Sequence, residues 1–273
     1  MGKMRYYISG GFGFIGRNLA EELKKTKDGF TLLWQENLKR PILTRNDFDV
    51  IYHLAANTDT RFPDDVEMFR NNILSFLNVL DFALKGKSKL IYASSGSVVG
   101  EYEKTAYAES KRVIDEIAKH FFDKLPIVGL RFQNVFGPYE HKKGNMASMI
   151  TQWANQIKEG KRPVAFLEER NTKRDHIYVK DVVKALRMAE GLKNGIYDVG
   201  SGVSTSFDDV LNLVQKALGS NLEPIYVENP YKGRYQKDTK ANLDWGFKPD
   251  YSLEEGIKDY LQNYETSEKS LGQ

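Results

Sequence analysis

Short apolar stretches recur along the first half of the chain, each followed by a longer segment whose apolar residues return at helical spacing. The stretch 4–9 (MRYYIS) suits a buried strand, and 30–34 (FTLLW), 50–54 (VIYHL), 90–94 (LIYAS) and 127–132 (IVGLRF) repeat its character. Between them, 17–25 (RNLAEELKK), 66–84 and 108–122 read as amphipathic helices. Strands alternating with helices predict an α/β fold with a parallel sheet covered on both faces.

Past Gly137 the pattern loosens. Helices are predicted over 146–158, 179–192 and 207–218, with short strands over 164–167 and 196–199. Glycines, prolines and tyrosines crowd between these pieces. The expected layout is a dinucleotide-binding domain over 1–134 and a smaller α/β substrate lobe over 135–273, with 175–192 packing back on the first domain.

Apolar content of 41% and charged content of 28% are those of an ordinary globular protein. Forty basic residues against 37 acidic ones leave a net charge of +3, which gives no support to nucleic acid or an anionic membrane as partner. There is no cysteine, so disulfides, a thiol nucleophile and thiolate metal sites are excluded. No metal site is expected. No secretory leader or membrane-length apolar run is visible, and the cytoplasm is the expected location.

Residues 9–16 (SGGFGFIG) lie between the first strand and the first helix. Gly11, Gly13 and Gly16 fit one dinucleotide-binding spacing, and Gly10, Gly13 and Gly16 fit a related one. A tight turn, a pyrophosphate close to the backbone and a helix packed against a strand all require glycine, and the helix amino end supplies N–H groups to phosphate. This is the first turn of a Rossmann-type doubly wound sheet. Glu36, at the end of the second strand, is placed to bond an adenosine ribose, which favours NAD. Lys39 and Arg40 beyond it would suit the extra phosphate of NADP or simply sit in solvent. The cofactor is NAD or NADP, undecided.

Tyr107 and Lys111 have the spacing Y-x-x-x-K on a predicted helix, so they share one face. An adjacent ammonium and a nicotinamide cation would both lower the phenol pKa and allow it to act as a base. Ser94 and Ser95 follow a predicted strand, either as an ordinary polar turn or as a hydroxyl aimed at a reacting sugar oxygen.

These pieces, with His53-Leu54-Ala55-Ala56, the run from Ser94 to Gly100, Tyr107-x-x-Ser110-Lys111 and the run from Arg131 to Pro138, resemble the extended short-chain dehydrogenase/reductase family over nearly the whole chain. The resemblance implies that Ser95, Tyr107 and Lys111 are catalytic. It implies cofactor contacts from Gly10, Gly13, Phe14, Ile15, Gly16, Glu36, Asn37, Lys39, Arg40, Leu54, Ala55, Ala56, Asn72, Ser94, Tyr107 and Lys111.

The run from Gly137 to Ser148, the run from Asn171 to Val179 and Lys232-Gly233-Arg234-Tyr235-Gln236 resemble the ADP-glycero-manno-heptose 6-epimerase subgroup. That implies Lys143 as a second acid/base and a nucleotide-diphosphate sugar held by Ser95, Asn134, Met146, Ala147, Phe166, Arg174, Arg234 and Tyr235. Lys142 and Lys143 could equally be solvated, and Arg174 could pair with Asp175. Three features depart from the family: six residues between Gly100 and Tyr107, a short 36–49 segment, and Ala108 after the tyrosine. The expected reaction is redox epimerisation. Alternatives are a UDP-sugar 4-epimerase, a keto-sugar reductase using NAD(P)H, or a cofactor-binding sensor without turnover. Gly96 and Ser97 stand where dehydration would need an acidic pair. A homo-oligomer is a further expectation.

Overall fold

The computed structural model describes residues 3–26, 29–33, 42, 47–99, 105–230 and 238–263. In chain order the first half forms β1 (Arg5–Ser9), α1 (Phe14–Lys24), β2 (Gly29–Leu33), β3 (Val50–His53), α2 (Asp65–Gly86), β4 (Lys89–Ser95), α3 (Ala106–His120) and β5 (Ile127–Phe132). The second half forms β6 (Asn134–Phe136), α4 (Met149–Lys158), β7 (Val164–Phe166), β8 (Lys173–Tyr178), α5 (Val179–Ala189), β9 (Gly195–Val199), β10 (Ser204–Ser206), α6 (Phe207–Leu218), β11 (Ile225–Val227) and α7 (Leu253–Gln262). Short 3-10 turns lie at Gly96–Val98, Glu140–Met146 and Leu167–Glu169.

One sheet has the order β2-β1-β3-β4-β5-β9. The pairs β1·β2, β1·β3, β3·β4 and β4·β5 are parallel. Alternation along a strand sends side chains to opposite faces. Tyr7, Ile51, Leu90, Tyr92 and Ile127 pack against Phe76, Val79, Leu80 and Ala83 of α2 and Ile114 and Ala118 of α3. Each such buried side chain contributes about 1.5–3 kcal/mol. On the other face the Tyr6 and Tyr52 hydroxyls both donate to Glu190, and Lys89 donates to the Glu190 and Leu192 carbonyls at 2.8 and 2.6 Å. The sheet is therefore wound on both sides, as the apolar pattern predicts.

The chain divides into two compact units. One comprises Met1–Gly100, Lys104–Phe132 and Val183–Asp198, the other Glu101–Glu103, Gln133–Val182 and Val199–Gln273. In the second, β8 pairs antiparallel with β10 and parallel with β6, and β7 pairs parallel with β11. Buried Trp153, Phe136, Phe247 and Tyr260 anchor it, and the Trp153 indole donates to the Val164 carbonyl at 2.8 Å.

Several boundaries differ from the sequence expectations. Helix α1 starts at Phe14 rather than residue 17, because Gly13 is its extended N-cap and the glycine run enters its first turn. Helix α4 starts at Met149 rather than 146, where the Ser148 hydroxyl accepts the Thr151 N–H. Strands β6, β8, β10 and β11 carry no apolar period long enough to announce them, whereas helix α7, absent from the sequence expectations, repeats Leu253, Ile257, Tyr260 and Leu261 at helical spacing. In β8 the charged-looking Arg174, Asp175 and His176 are all buried. The last position of the predicted 30–34 strand lies outside the described residues.

Candidate active site

Parallel strands β1, β3 and β4 end on the same edge of the sheet, and the first unit gathers its chemistry there. Gly10 leaves β1 with φ +73°, and a Cβ on it would stand 2.6 Å from the Ala55 nitrogen. The Gly13 N–H donates to the Gly10 carbonyl at 2.9 Å. A Cβ on Gly16 would run into that same carbonyl oxygen. The geometry thus demands glycine at Gly10 and Gly16, the first of which belongs to the Gly10, Gly13, Gly16 spacing, while a Cβ on Gly13 would be tight at 3.2 Å. No side chain caps the amino end of α1 and its first turn, with Phe14 and Ile15, holds no acid. Neither the cap nor the first turn therefore offsets the helix dipole.

Leu54, Ala55 and Ala56 leave β3 beside this turn, with the Leu54 N–H bonded to the Ser9 carbonyl at 3.0 Å. Asn72 is buried and spent internally. Its oxygen accepts the Asn57 N–H at 2.8 Å, and its nitrogen donates to the Asn57 carbonyl at 3.1 Å and the Ser110 hydroxyl at 2.9 Å. Those bonds fasten the wall to α2 and α3. Ser94 is buried, and its hydroxyl has no partner.

Ser95 ends β4. Its hydroxyl accepts the Ser97 N–H at 3.2 Å, bonds the Ser97 hydroxyl at 2.8 Å and lies near enough to the phenol of Tyr107 to act on its titration. Tyr107 lies in the first turn of α3, capped by the Thr105 hydroxyl, which accepts the Ala108 N–H at 3.2 Å. Lys111, one turn on, is 3% exposed and donates to the Ala93 carbonyl at 2.8 Å. Ser95, Tyr107 and Lys111 are thereby brought together.

Burial pushes the Lys111 amine down to about 8, against the pull of Asp115. Burial also raises the Tyr107 phenol, with only the nearby Ser95 hydroxyl opposing it. The expected lowering belongs to the site with a nicotinamide cation bound; in the protein alone, loss of solvent sets the direction. Behind them the His53 imidazole meets the Ser9 hydroxyl at 2.7 Å. Burial and the Lys111 charge push that imidazole down to about 3, so it is neutral at pH 7.

The second unit holds the other predicted residues. Lys143 lies half-buried in the turn Glu140–Met146, which ends at Met146 beside buried Ala147. Its charge acts on Glu140, whose carboxyl burial raises. Glu140 accepts the Ser148 N–H and hydroxyl at 2.8 Å each and the Thr151 hydroxyl at 2.7 Å, fixing the turn to the start of α4. Lys142 is exposed. Asn134 opens β6 and Phe166 closes β7.

Arg174 is buried in β8 with its guanidinium 5.8 Å from the Phe207 ring centre. Asp175 points to the opposite face of the strand. Its carboxylate accepts the N–H groups of Ser201, Gly202 and Ala241 at 2.6, 3.0 and 2.9 Å. Glu36, Asn37, Lys39, Arg40, Arg234 and Tyr235 lie outside the described residues, as does Gly100. Among the described residues no cluster of histidine or acidic side chains could hold a metal ion, and no helix is long and apolar enough to cross a membrane.

The sequence reading passed over Asp115 and Arg131. Asp115 continues the four-residue series Tyr107, Lys111, Asp115 on α3, a signal that was legible once the helix was placed.

The model of the NAD dependent epimerase/dehydratase family matches residues 6–200. The chain is 31% identical to an ADP-L-glycero-D-manno-heptose-6-epimerase of Brachyspira hyodysenteriae over 311 aligned positions, covering 95% of this chain and 98% of the relative. That alignment is longer than the chain, in keeping with its shortened segments. Among solved structures, an ADP-L-glycero-D-manno-heptose-6-epimerase of Helicobacter pylori is similar with TM-score 0.87 and 29% identity, covering 96% of each chain. A UDP-N-acetylglucosamine 4-epimerase of Methanobrevibacter ruminantium is similar with TM-score 0.83 and 26% identity, covering 97% of this chain and 99% of that one.

Proposed function

The chain belongs to the NAD dependent epimerase/dehydratase family, and on that premise we propose that it epimerises a nucleotide-diphosphate sugar through a transient ketone. ADP-heptose, inverted at its exocyclic C6, is the best-supported substrate. The observation that carries the reading is the meeting of Ser95, Tyr107 and Lys111 on the sheet edge that also carries the Gly10, Gly13, Gly16 turn.

The residues present fit a nicotinamide dinucleotide, NAD or NADP. A cradle that any Cβ at Gly10 or Gly16 would fill lies before an uncapped helix end, and the orphan Ser94 hydroxyl lies on the strand leading to Ser95. Gly10, Gly13, Phe14, Ile15 and Gly16 would hold the pyrophosphate, Leu54, Ala55 and Ala56 the adenosine side, and Ser94, Tyr107 and Lys111 the nicotinamide side. Glu36, Asn37, Lys39 and Arg40 are assigned to the adenosine ribose. When bound, the nicotinamide supplies a hydride acceptor and donor together with a positive charge that favours the Tyr107 phenolate.

Tyr107 then accepts the proton of the reacting sugar hydroxyl and later returns it. The Ser95 hydroxyl donates to the same oxygen and stabilises its developing charge. Lys111, steadied by the Ala93 carbonyl, keeps a cation beside the phenol. Lys143 is assigned a second proton-transfer role at the opposite face of the ketone. Asn134, Met146, Ala147, Phe166, Arg174, Arg234 and Tyr235 are assigned to the nucleotide-diphosphate sugar, the arginines because their fork donates to two oxygens at once.

Residues 1–134 are assigned to dinucleotide binding and 135–273 mainly to the substrate, with 175–192 partly returning to the first domain. The grouping of Val183–Asp198 with the sheet supports that division. The proposal extends to a cytoplasmic location and to a homo-oligomer, the latter supported by exposed Leu74 and Leu77 on α2 and Val113 on α3.

The test is denaturing release of co-purified nucleotide, followed by turnover of ADP-heptose and UDP-hexoses read by NMR. Conversion of ADP-heptose without net use of added NAD(P)H is expected. Conversion of a UDP-sugar instead would favour the second reading, a UDP-sugar 4-epimerase, to which the Methanobrevibacter likeness points. Stoichiometric consumption of NAD(P)H would make the protein a reductase, and bound cofactor with no product would make it a sensor.

A further inference from the structure

We propose that Asp115 is a positioning residue of the active site: its buried carboxylate locks the α3 face carrying Tyr107 and Lys111 onto the sheet and keeps the Lys111 ammonium charged. This rests on the reading of Lys111 as the cationic partner of Tyr107.

The geometry is that of a clamp. Asp115 is fully buried, an environment a carboxylate tolerates only when its oxygens are bonded and its charge is met. One oxygen accepts the Tyr92 hydroxyl at 2.9 Å. The other accepts the Arg131 Nε at 3.0 Å and lies 2.9 Å from a terminal guanidinium nitrogen. Tyr92 stands on β4 two residues before Ser94, and Arg131 stands on β5 directly opposite Ser94. Residues 107, 111 and 115 follow one another at helical turns on a single face. Helix α3 is therefore tied at successive turns, through Lys111 to the Ala93 carbonyl and through Asp115 to Tyr92 and Arg131. Those ties sit immediately behind the strand end that presents Ser95.

The charges around Lys111 give the clamp a second effect. From its own helix the Asp115 charge acts on it, with Tyr107 one turn away on the same face. From β3 it faces His53, which is neutral at pH 7. The buried Tyr92 of β4 and the Arg131 cation of β5 meet the Asp115 carboxylate, while α2 contributes the uncharged Asn72 through Ser110. Asp115 is the anion in this group. Its charge works against the burial that pulls the Lys111 amine down to about 8.

The experiment reads Lys111 directly, in protein stripped of nucleotide and carrying 13Cε-labelled lysine, by NMR titration between pH 6 and 11, with Lys111→Met to assign the signal. Asp115→Asn keeps the side-chain volume and an acceptor for Tyr92 while removing the charge. Its Lys111 midpoint is expected about one pH unit below wild type. Arg131→Gln removes the charge that meets the carboxylate, so it should move the midpoint through Asp115. Tyr92→Phe keeps both charges and should leave it in place.

A Lys111 midpoint unmoved in folded Asp115→Asn would overturn the proposal. If that variant does not fold, an unmoved midpoint in Arg131→Gln would do the same. The titration needs no substrate, so its failure is distinct from a failure to find epimerase turnover.

Discussion

At the scale of single residues the site separates groups that carry chemistry from groups that only permit it. Tyr107→Phe removes the one phenolic proton acceptor yet keeps the ring, so turnover of the true substrate should fall about 10²–10⁴-fold. The amount of nucleotide released on denaturation should stay at the wild-type level, and normal turnover would sink the mechanism. Gly16→Ala places a methyl group against the Gly10 carbonyl. It should cost about 1–3 kcal/mol in denaturant unfolding and abolish nucleotide retention.

His176 teaches the reverse lesson. Both its ring nitrogens are buried without a partner, and the ring packs edge-on at 6.2 Å from Phe207. His176→Phe removes those orphans and keeps the aromatic contact. A stability gain of about 1–2 kcal/mol is expected from denaturant midpoints.

At the scale of elements, caps and clamps place the catalytic groups more than the helices' own propensities do. Thr105 caps the helix that carries Tyr107. Thr105→Ala should cost about 1 kcal/mol of stability. Because Tyr107 is in the first turn, kcat should fall several-fold while nucleotide affinity holds; equal loss of both would show that the cap serves the fold alone.

The elements hidden from the sequence reading share a physical feature. Strands β6, β10 and β11 are three residues each, too short for a two-residue period to register. Strand β8 buries a charged run whose partners lie far along the chain, as when Asp175 takes the backbone of Ser201, Gly202 and Ala241. Helix α7 did announce itself, through the Ser252 and Glu255 capping box, a local signal that went unread.

At the scale of the whole molecule, two buried histidines make stability depend on acid. His53 and His176 are each pushed down to about 3 in the folded protein, against an ordinary value near 6.5. Above pH 6.5 neither state binds these protons and their contribution to stability is fully present. As pH falls from 6.5 toward 3 the unfolded chain takes them up first, so stability is lost across that window. The slope is about 1.4 kcal/mol per pH unit for each proton. Glu140 and Asp175, raised by burial, act in the opposite sense near their own titrations. The difference between wild type and His176→Phe isolates one histidine. Near pH 5 the variant's unfolding free energy should vary less steeply, by about one proton's worth, and parallel pH profiles would refute this.

The sequence by itself determined the alternation of strand and helix, the glycine turn and the order of Ser95, Tyr107 and Lys111. Each of these is written in residues close together, where period, spacing and backbone sterics act without reference to the rest of the chain. Only the tertiary structure decided which glycine spacing is required, because the clash at Gly10 comes from Ala55, 45 positions away. It also decided the protonation of the site. Tyr107, Lys111 and His53 are displaced from their ordinary values chiefly by burial, and burial is a property of everything that packs around a residue.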